Sequence, residues 1–310
     1  MSLFRSSQES GSNFEDAIKA VLQMSLVSPK FLLRIEAAPP GDDVYRISAW
    51  DLASRLSYFL WSSMPDDELF RAANAGDLFD AELLRGQVDR MLDDPKSMTL
   101  GTTFAGQWLG SRNLGVRIRP DPIDNPWCTD TLIEGLKNET ALFVHSLIVD
   151  NQPISRLVDA EYTFLNEEVA KHYRIDGVQG DQMRRVDLQG DQRGGIFGQG
   201  SLLAVTSFPG RTSPVVRGKW ILTDVLGTPP PPPPPNVSEF SDEVEDKRFL
   251  SSRQKLQLHR RNPNCYSCHS QIDPLGFSLE NYDWFGRWRG NLRGRPVDSR
   301  GKLPNGTEFE

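Results

Sequence analysis

The run Cys265-Tyr266-Ser267-Cys268-His269 brings two thiols and an imidazole together within five residues. On a helix, residues at i, i+3 and i+4 share one face. The two cysteines can therefore form thioethers with the two vinyl groups of a single haem, while the histidine lies under the iron. Cys-x-x-Cys-His is the attachment pattern of c-type haem. The spacing predicts covalent haem c held by Cys265 and Cys268, with His269 Nε2 as the proximal iron ligand.

Other uses of the same side chains stay open. A structural zinc ion could take His259, Cys265, Cys268 and His269, four ligands of the right type within eleven residues. A thioredoxin-like dithiol would need a strand before Cys265, where the sequence instead indicates a polar helix and a turn. A disulfide between Cys265 and Cys268 would leave His269 without a role.

The residues after His269 suit a haem pocket. Apolar Ile272, Leu275 and Phe277 are expected to line a haem face. The Pro274 carbonyl is expected to accept the Nδ1 proton of His269 and to fix its tautomer. The expected pocket edge, with arginines near the haem propionates, consists of Asn281, Tyr282, Trp284, Arg287, Trp288 and Arg289. The same aromatic residues also fit the core of a small C-terminal lobe.

The second axial ligand of the iron is not evident from the sequence. No methionine or histidine follows His269. His259 is a candidate second ligand only six residues before Cys265, and the chain would have to wrap around the haem for it to bind. The more distant candidates are Met183, His172 and His145. Otherwise we expect the ligand in a missing C-terminal part of the protein, or a five-coordinate iron, which favours a haem that activates a small molecule over an electron carrier.

Helical patterns dominate the chain before the signature. Capping residues and apolar periodicity predict helices that begin near Asn13, Ser48, Asp66 and Asp80, and another over 131–148. Their apolar stripes are assigned to the core; in the first helix the stripe consists of Phe14, Ile18, Val21 and Leu22.

The sequence pattern changes after residue 153, from helices to shorter extended and helical segments. Extended segments at 159–166 and 184–188 flank a helix at 167–173. The glycine-rich stretch 193–200 lacks the Gly-Lys-Ser/Thr ending of a phosphate loop and predicts a tight turn between closely packed backbones. Ser213-Pro214, a cap followed by proline at the first helical position, opens a further helix.

The predicted fold is mainly α, a helical body followed by a polyproline strap and a small α-helical c-type haem module. We expect a helical domain at 1–150, a mixed helical and loop domain at 151–228, a proline-rich and acidic linker at 229–251, and the haem module at 252–310. Seven prolines from Pro229 to Pro235 predict a polyproline II strap of about 20 Å. A ligand for a proline-binding groove is the alternative for this run.

Charge and the two ends of the chain bear on partners and location. The net charge of −7 argues against a nucleic-acid partner. No stretch approaches the apolar length of a membrane span. The polar N-terminus contains no signal peptide, and the chain stops in a turn-like run. We therefore expect an internal piece of a longer protein, with a truncated haem module.

Four stretches together resemble a large cytochrome-c-associated family best known from planctomycetes. They are residues 45–61, 200–207, 211–220 and 265–283. The resemblance covers nearly the whole chain as consecutive modules, the domains of unknown function 1592, 1588 and the start of 1585. It implies an exported multidomain protein with c-type haem, commonly preceded by another cytochrome module. These domains have no assigned reaction.

Three functions follow as expectations. The first is electron transfer through haem c in the cell envelope, with a redox protein or other cytochrome domains as partner and a periplasmic or extracytoplasmic location for the full-length protein. The second is a haem-dependent redox enzyme of peroxidase or oxygenase type with an open axial site. The third is a zinc-stabilised interaction module without a redox role.

Overall fold

The computed structural model describes residues 2–36, 41, 44–232 and 251–309. These residues are mainly helical, which confirms the mainly α part of the predicted fold. The α-helices are α1 Ser2–Glu9, α2 Phe14–Leu26, α3 Pro29–Leu32, α4 Ala49–Trp61, α5 Asp67–Ala75, α6 Ala81–Asp93, α7 Gly106–Trp108, α8 Asp130–Val149, α9 Arg156–Asp159, α10 Glu167–Tyr173, α11 Gly200–Val205, α12 Pro214–Trp220, α13 Ser252–His259 and α14 Pro263–Phe277. Shorter 3-10 turns lie at Asp77–Phe79, Pro95–Met98, Ser111–Asn113 and Ile196–Gly198, and π-helical turns at Leu100–Ala105 and Ile221–Val225.

The described strands are short and pair only as antiparallel hairpins. β1 Tyr162–Leu165 pairs with β2 Arg184–Asp187, with Tyr162 opposite Asp187. The other hairpins are β3 Asn291–Leu292 with β4 Arg295–Pro296, and β5 Gly301–Lys302 with β6 Glu308–Phe309. β1 and β2 confirm the two extended segments predicted around α10.

Helix starts follow the capping signals of the sequence. The Asn13 side chain accepts a hydrogen bond from Asp16 N at 2.8 Å, and Asp66 accepts one from Leu69 N at 2.9 Å. Each side chain satisfies a backbone N–H that has no partner inside its own helix. At the end of α5, Gly76 adopts φ +82, the left-handed conformation that glycine reaches without strain.

The chain divides into two compact units, the first formed by the described residues of Met1–Ser57 and Met64–Gln87. In this unit the Phe4 and Phe14 rings meet at 5.7 Å. The predicted core stripe of α2 is wrong, since Phe14 is 64% and Leu22 56% exposed and only Ala17 is buried. The neighbours of α2 within the unit are the short helices α1 and α3, which are too small to cover its apolar face.

The second unit comprises the described residues of Tyr58–Ser63 and Val88–Glu310, and α8 lies at its centre. Ten of the twenty residues of α8 are buried, among them Leu136 and Phe143. One core cluster joins Phe143 to Leu203 and Tyr282, and another joins Leu136 to Phe285. The predicted boundaries at 150 and 228 are therefore not where the structure divides the chain, because residues from both sides of them share the same core.

Glycines set the contact between α12 and α14. A Cβ at Gly218 would lie 1.9 Å from the Ile272 carbonyl oxygen, and one at Gly276 would lie 1.8 Å from the Pro214 carbonyl oxygen. The two backbones therefore touch at two points spaced by four residues on each helix. This contact fixes α14, and the signature it carries, on the body of the second unit.

The predicted glycine turn is also confirmed. Gly195 has φ +50, and a Cβ there would lie 2.4 Å from the Val158 carbonyl oxygen. Pro229–Pro232 lie outside helices and strands. The rest of the predicted strap and acidic linker, residues 233–250, lies outside the described residues, so the strap stays a prediction.

Among the residues that the structure describes, no helix combines the length and the apolar character needed to cross a bilayer.

Candidate haem-attachment site

The signature lies in the first two turns of α14. Asn262 caps this helix by accepting a hydrogen bond from Asn264 N at 3.0 Å, and Pro263 occupies the first helical position. Because the helix is regular here, Cys265, Cys268 and His269 lie at i, i+3 and i+4 on one face. The local sequence thus gives the arrangement that attachment of one haem requires.

The three side chains differ in burial. Cys265 is 7% exposed, Cys268 is half-buried, and the His269 side chain is 14% exposed. Both cysteines are free thiols, and no disulfide bond joins Cys265 to Cys268 in this structure. Within 2–36, 41, 44–232 and 251–309, no three His, Cys, Asp or Glu side chains are arranged to hold a metal ion.

Asp273 orients the His269 ring. His269 Nδ1 lies 2.8 Å from Asp273 Oδ1, and the Asp273 side chain is completely buried. A carboxylate only accepts hydrogen bonds, so Nδ1 carries the hydrogen and Nε2 keeps its lone pair. His269 is thereby held in the tautomer that a proximal ligand needs.

This contact corrects the role expected for Pro274. The Pro274 carbonyl accepts the backbone N–H of Ser278 at 3.3 Å, as a carbonyl inside a helix does. The His269 Nδ1 instead meets the side chain four residues later, Asp273. The residue that fixes the tautomer is therefore Asp273.

A positive charge accompanies the buried carboxylate. Arg260 Nε lies 3.5 Å from Asp273 Oδ2, which makes no hydrogen bond of good geometry. The Arg260 side chain is 22% exposed. A buried carboxylate needs a compensating charge, and Arg260 supplies it.

His259 lies beside His269 rather than opposite it. The two rings meet edge to face with their centroids 4.7 Å apart. Two imidazoles on opposite sides of one iron would have ring centroids at least about 6 Å apart, because each metal–nitrogen bond is about 2 Å long. In this arrangement His259 packs against His269, which argues against its expected role as the second ligand.

Arg287 contacts an aromatic cluster of the core. Its guanidinium carbon lies 4.1 Å from the Trp127 ring centroid, and its Nε donates to His172 Nδ1 at 3.3 Å. His172 Nε2 lies 2.9 Å from the Phe285 carbonyl oxygen. Arg287 thus covers a buried aromatic cluster, and its expected place near haem propionates stays a prediction.

The distant candidate ligands have other partners or positions. His172 is 6% exposed and bonded at both ring nitrogens, and burial is the main cause that lowers its pKa to about 4. His145 Nε2 lies 2.8 Å from Ser97 Oγ, and burial lowers its pKa. Met183 is half-buried in the segment before β2. His172 and His145 therefore have structural roles.

The apolar residues after the signature are buried. Ile272 is 5% and Phe277 2% exposed, while Leu275 packs against the core of the second unit. The guanidinium carbon of Arg253 lies 3.9 Å from the Phe277 ring centroid. Tyr282 and Trp288 meet at 5.2 Å in the core, which agrees with the core alternative for these aromatics.

Arg217 clamps the loop that follows α14. It is fully buried and donates to the carbonyl oxygens of Leu279 at 2.6 Å, Tyr282 at 3.0 Å and Asp283 at 2.7 Å. Burial is the main cause that lowers its pKa to about 10. Glu280 Oε1 lies 3.9 Å away, which places an opposite charge beside it.

Two residues at this site were missed by the sequence reasoning. Asp273 could have been found, because a histidine followed by an aspartate four residues later places both on one helix face. Arg217 carries no such local signal, since the carbonyls that it binds lie more than sixty residues away.

The residues fit a covalent haem. Two free thiols three residues apart precede an imidazole on one helix face, and a buried carboxylate leaves the Nε2 of that imidazole available. These are the donor atoms and the orientation that c-type attachment uses.

Two family models match the chain. PSD4, a protein of unknown function (DUF1592), matches residues 47–175, and PSCyt3, a protein of unknown function (DUF1588), matches residues 193–291, which include the signature. Together they cover more than two thirds of the sequence. No curated protein and no solved structure matches it. The DUF1585 start stays a prediction. The chain therefore belongs to the planctomycete cytochrome-c-associated family whose members carry DUF1592 and DUF1588.

Proposed function

We propose that this chain binds one covalent haem c at Cys265, Cys268 and His269 and transfers electrons in the cell envelope. The observation that carries the proposal is the shared helix face of the three residues, with His269 Nδ1 held by Asp273. Membership of a cytochrome-c-associated family supports it. Because covalent haem attachment follows export, the proposal places the full-length protein outside the cytoplasm, with a redox protein or other cytochrome domains as partner.

The chain's own residues have distinct tasks in this function. Cys265 and Cys268 anchor the ring, and His269 Nε2 is the nitrogen presented to the iron. Asp273 keeps the hydrogen on Nδ1 and fixes the orientation of the imidazole. The haem itself, when bound, supplies the one-electron redox change. The contact of α14 with α12 holds the anchor helix rigid while the electron moves.

The test is attachment during export. The chain, fused to an export signal and expressed together with a c-type haem maturation system, is expected to show a Soret band and to gain the mass of one haem that survives denaturation. Cys265→Ser with Cys268→Ser is expected to lose the covalent haem. The matched control is Cys128→Ser, which removes a half-buried thiol whose pKa is raised to about 11 by burial. A wild-type chain that stays free of haem would refute the proposal.

A second candidate function has one observation in its favour. A carboxylate partner increases the electron-donating power of the proximal imidazole, which favours chemistry at an open axial position. The candidate is a haem-dependent redox enzyme. A high-spin spectrum that changes on addition of carbon monoxide or peroxide would support the enzyme. A six-coordinate low-spin spectrum that neither ligand changes would support the electron carrier.

A further inference from the structure

Positive charge is concentrated beside the signature. The chain as a whole carries −7, yet residues 251–272 contain four basic side chains and no Asp or Glu. These are Arg253, Lys255, Arg260 and Arg261. Two acidic side chains lie against this segment: Asp273, which is completely buried and 3.5 Å from Arg260, and Asp298, whose Oδ2 lies 3.5 Å from Arg253 Nε. Four basic side chains against these two acidic ones leave the segment with a positive formal charge. This segment therefore differs in sign from the chain as a whole.

The geometry of α13 keeps these charges next to the proposed haem anchor. Arg253, at the start of α13, lies against Phe277 at the end of α14. His259, at the end of α13, lies against His269, and Arg260 lies 3.5 Å from Asp273. The two helices are thus neighbours, and Arg253 and Arg260, near the two ends of α13, both lie against α14.

The outer side of the signature is uncharged and partly aromatic. Tyr266 is 56% exposed, and Asn264, Ser267 and Gln271 are exposed. Arg261, in the turn between the helices, is exposed as well. Exposed arginine and tyrosine are the residue types enriched at the centres of protein interfaces. We call this surface, formed by α13, residues 260–262 and the first two turns of α14, the signature face.

We propose that the signature face docks an acidic protein surface, that of the redox partner. This inference rests on the proposed function. A basic face gives this acidic chain an electric dipole. The dipole orients the chain during the encounter so that the haem anchor faces the acidic partner. Because the rest of the chain is acidic in sequence, this local positive charge gives an acidic partner a preferred docking face.

Small redox ions of opposite charge provide the first test. The haem-loaded, reduced chain is oxidised in a stopped-flow instrument by ferricyanide and by tris(phenanthroline)cobalt(III) at 10 to 300 mM salt. We expect the ferricyanide rate to fall roughly tenfold as salt rises and the cobalt rate to increase, because electrostatic steering is screened by salt. The opposite salt dependence, which the net charge of −7 alone would give, would overturn the inference.

Charge reversal locates the effect. Arg261→Glu is expected to lower the ferricyanide rate at 10 mM salt at least about threefold. Arg112→Glu, at an exposed arginine of the DUF1592 region, changes the net charge equally and is the matched control. Equal effects of the two variants would contradict a local docking face. If the exported chain shows no haem absorption, the proposed function is refuted, and this inference is refuted together with it.

A protein probe and a lipid probe distinguish the two classes of acidic surface. An acidic flavodoxin is expected to exchange electrons with a rate that saturates with concentration, falls with salt and drops in Arg261→Glu. Phosphatidylglycerol vesicles are expected not to cosediment with the chain. Cosedimentation with vesicles, together with a flavodoxin rate indifferent to Arg261→Glu, would overturn the protein partner in favour of a membrane surface.

Discussion

Replacing Asp273 by asparagine separates its charge from its shape. The variant keeps an acceptor oxygen near His269 Nδ1 but removes the negative charge that lies 2.8 Å away. A hydrogen bond to a charged group contributes about 1.5–3 kcal/mol, against about 0.5–1.5 kcal/mol for a neutral one. The difference, about 1 kcal/mol, acts mainly on the oxidised iron, because the more electron-rich imidazole stabilises the higher charge.

The expected result is a higher reduction potential in Asp273→Asn. Since 59 mV corresponds to a tenfold change for one electron, 1 kcal/mol converts to about 45 mV. A spectroelectrochemical titration of the haem-loaded protein measures it. Asp273→Glu, which keeps the charge, is expected to return most of the shift, and Asp130→Asn, at an exposed helix start, controls for the change in net charge.

The stability of Asp273→Asn distinguishes an effect on the reduction potential from a purely structural role of Asp273. Asp273 also compensates Arg260 at 3.5 Å, so urea unfolding of Asp273→Asn is expected to show a loss of about 1–3 kcal/mol. A loss of stability with an unchanged or lower potential would show that Asp273 only holds the fold. That outcome would refute its action on the proximal ligand.

Three further predictions concern the second unit and its helices. Burial raises the pKa of Glu139 to about 7 from 4.5, so the folded state holds this proton more tightly than the unfolded state does. The free energy of unfolding, measured with urea, is therefore expected to fall by about 3 kcal/mol from pH 4.5 to 7. Glu139→Gln is expected to abolish that fall. Gly276→Ala forces a Cβ against the Pro214 carbonyl and is expected to lower the stability of the protein by at least about 2 kcal/mol in thermal unfolding. The control, Gly86→Ala, places a Cβ that meets nothing within 4 Å and is expected to raise the stability by about 1 kcal/mol. Equal effects of the two variants would contradict the close helix contact. Arg217→Lys retains the charge but cannot reach three carbonyls at once, so a loss of about 2–4 kcal/mol is expected by urea unfolding, and unchanged stability would show that the clamp contributes nothing.

Local patterns were sufficient for much of the fold. Asn13 and Asp66 cap the helices that they predict, and Ser213-Pro214 starts α12. These features depend on hydrogen bonds and dihedral preferences within a few residues. The exposed stripe of α2 was missed because periodicity identifies an apolar face but not whether another element covers it.

The sequence by itself determined how the residues of the proposed haem anchor are arranged. Cys265, Cys268 and His269 share a face because the helix repeat places them there, and Asp273 joins them one turn later for the same reason. These relations are local, so no distant contact was needed to establish them.

Only the tertiary structure decided what surrounds the anchor. Packing moved Arg287 to Trp127 and His172, put His259 on the same side as His269, and let α12 meet α14 backbone to backbone. The partners in the first and last of these contacts are separated by roughly fifty to a hundred and sixty residues. Their positions follow from how helices fill a common core, which no spacing within one segment encodes.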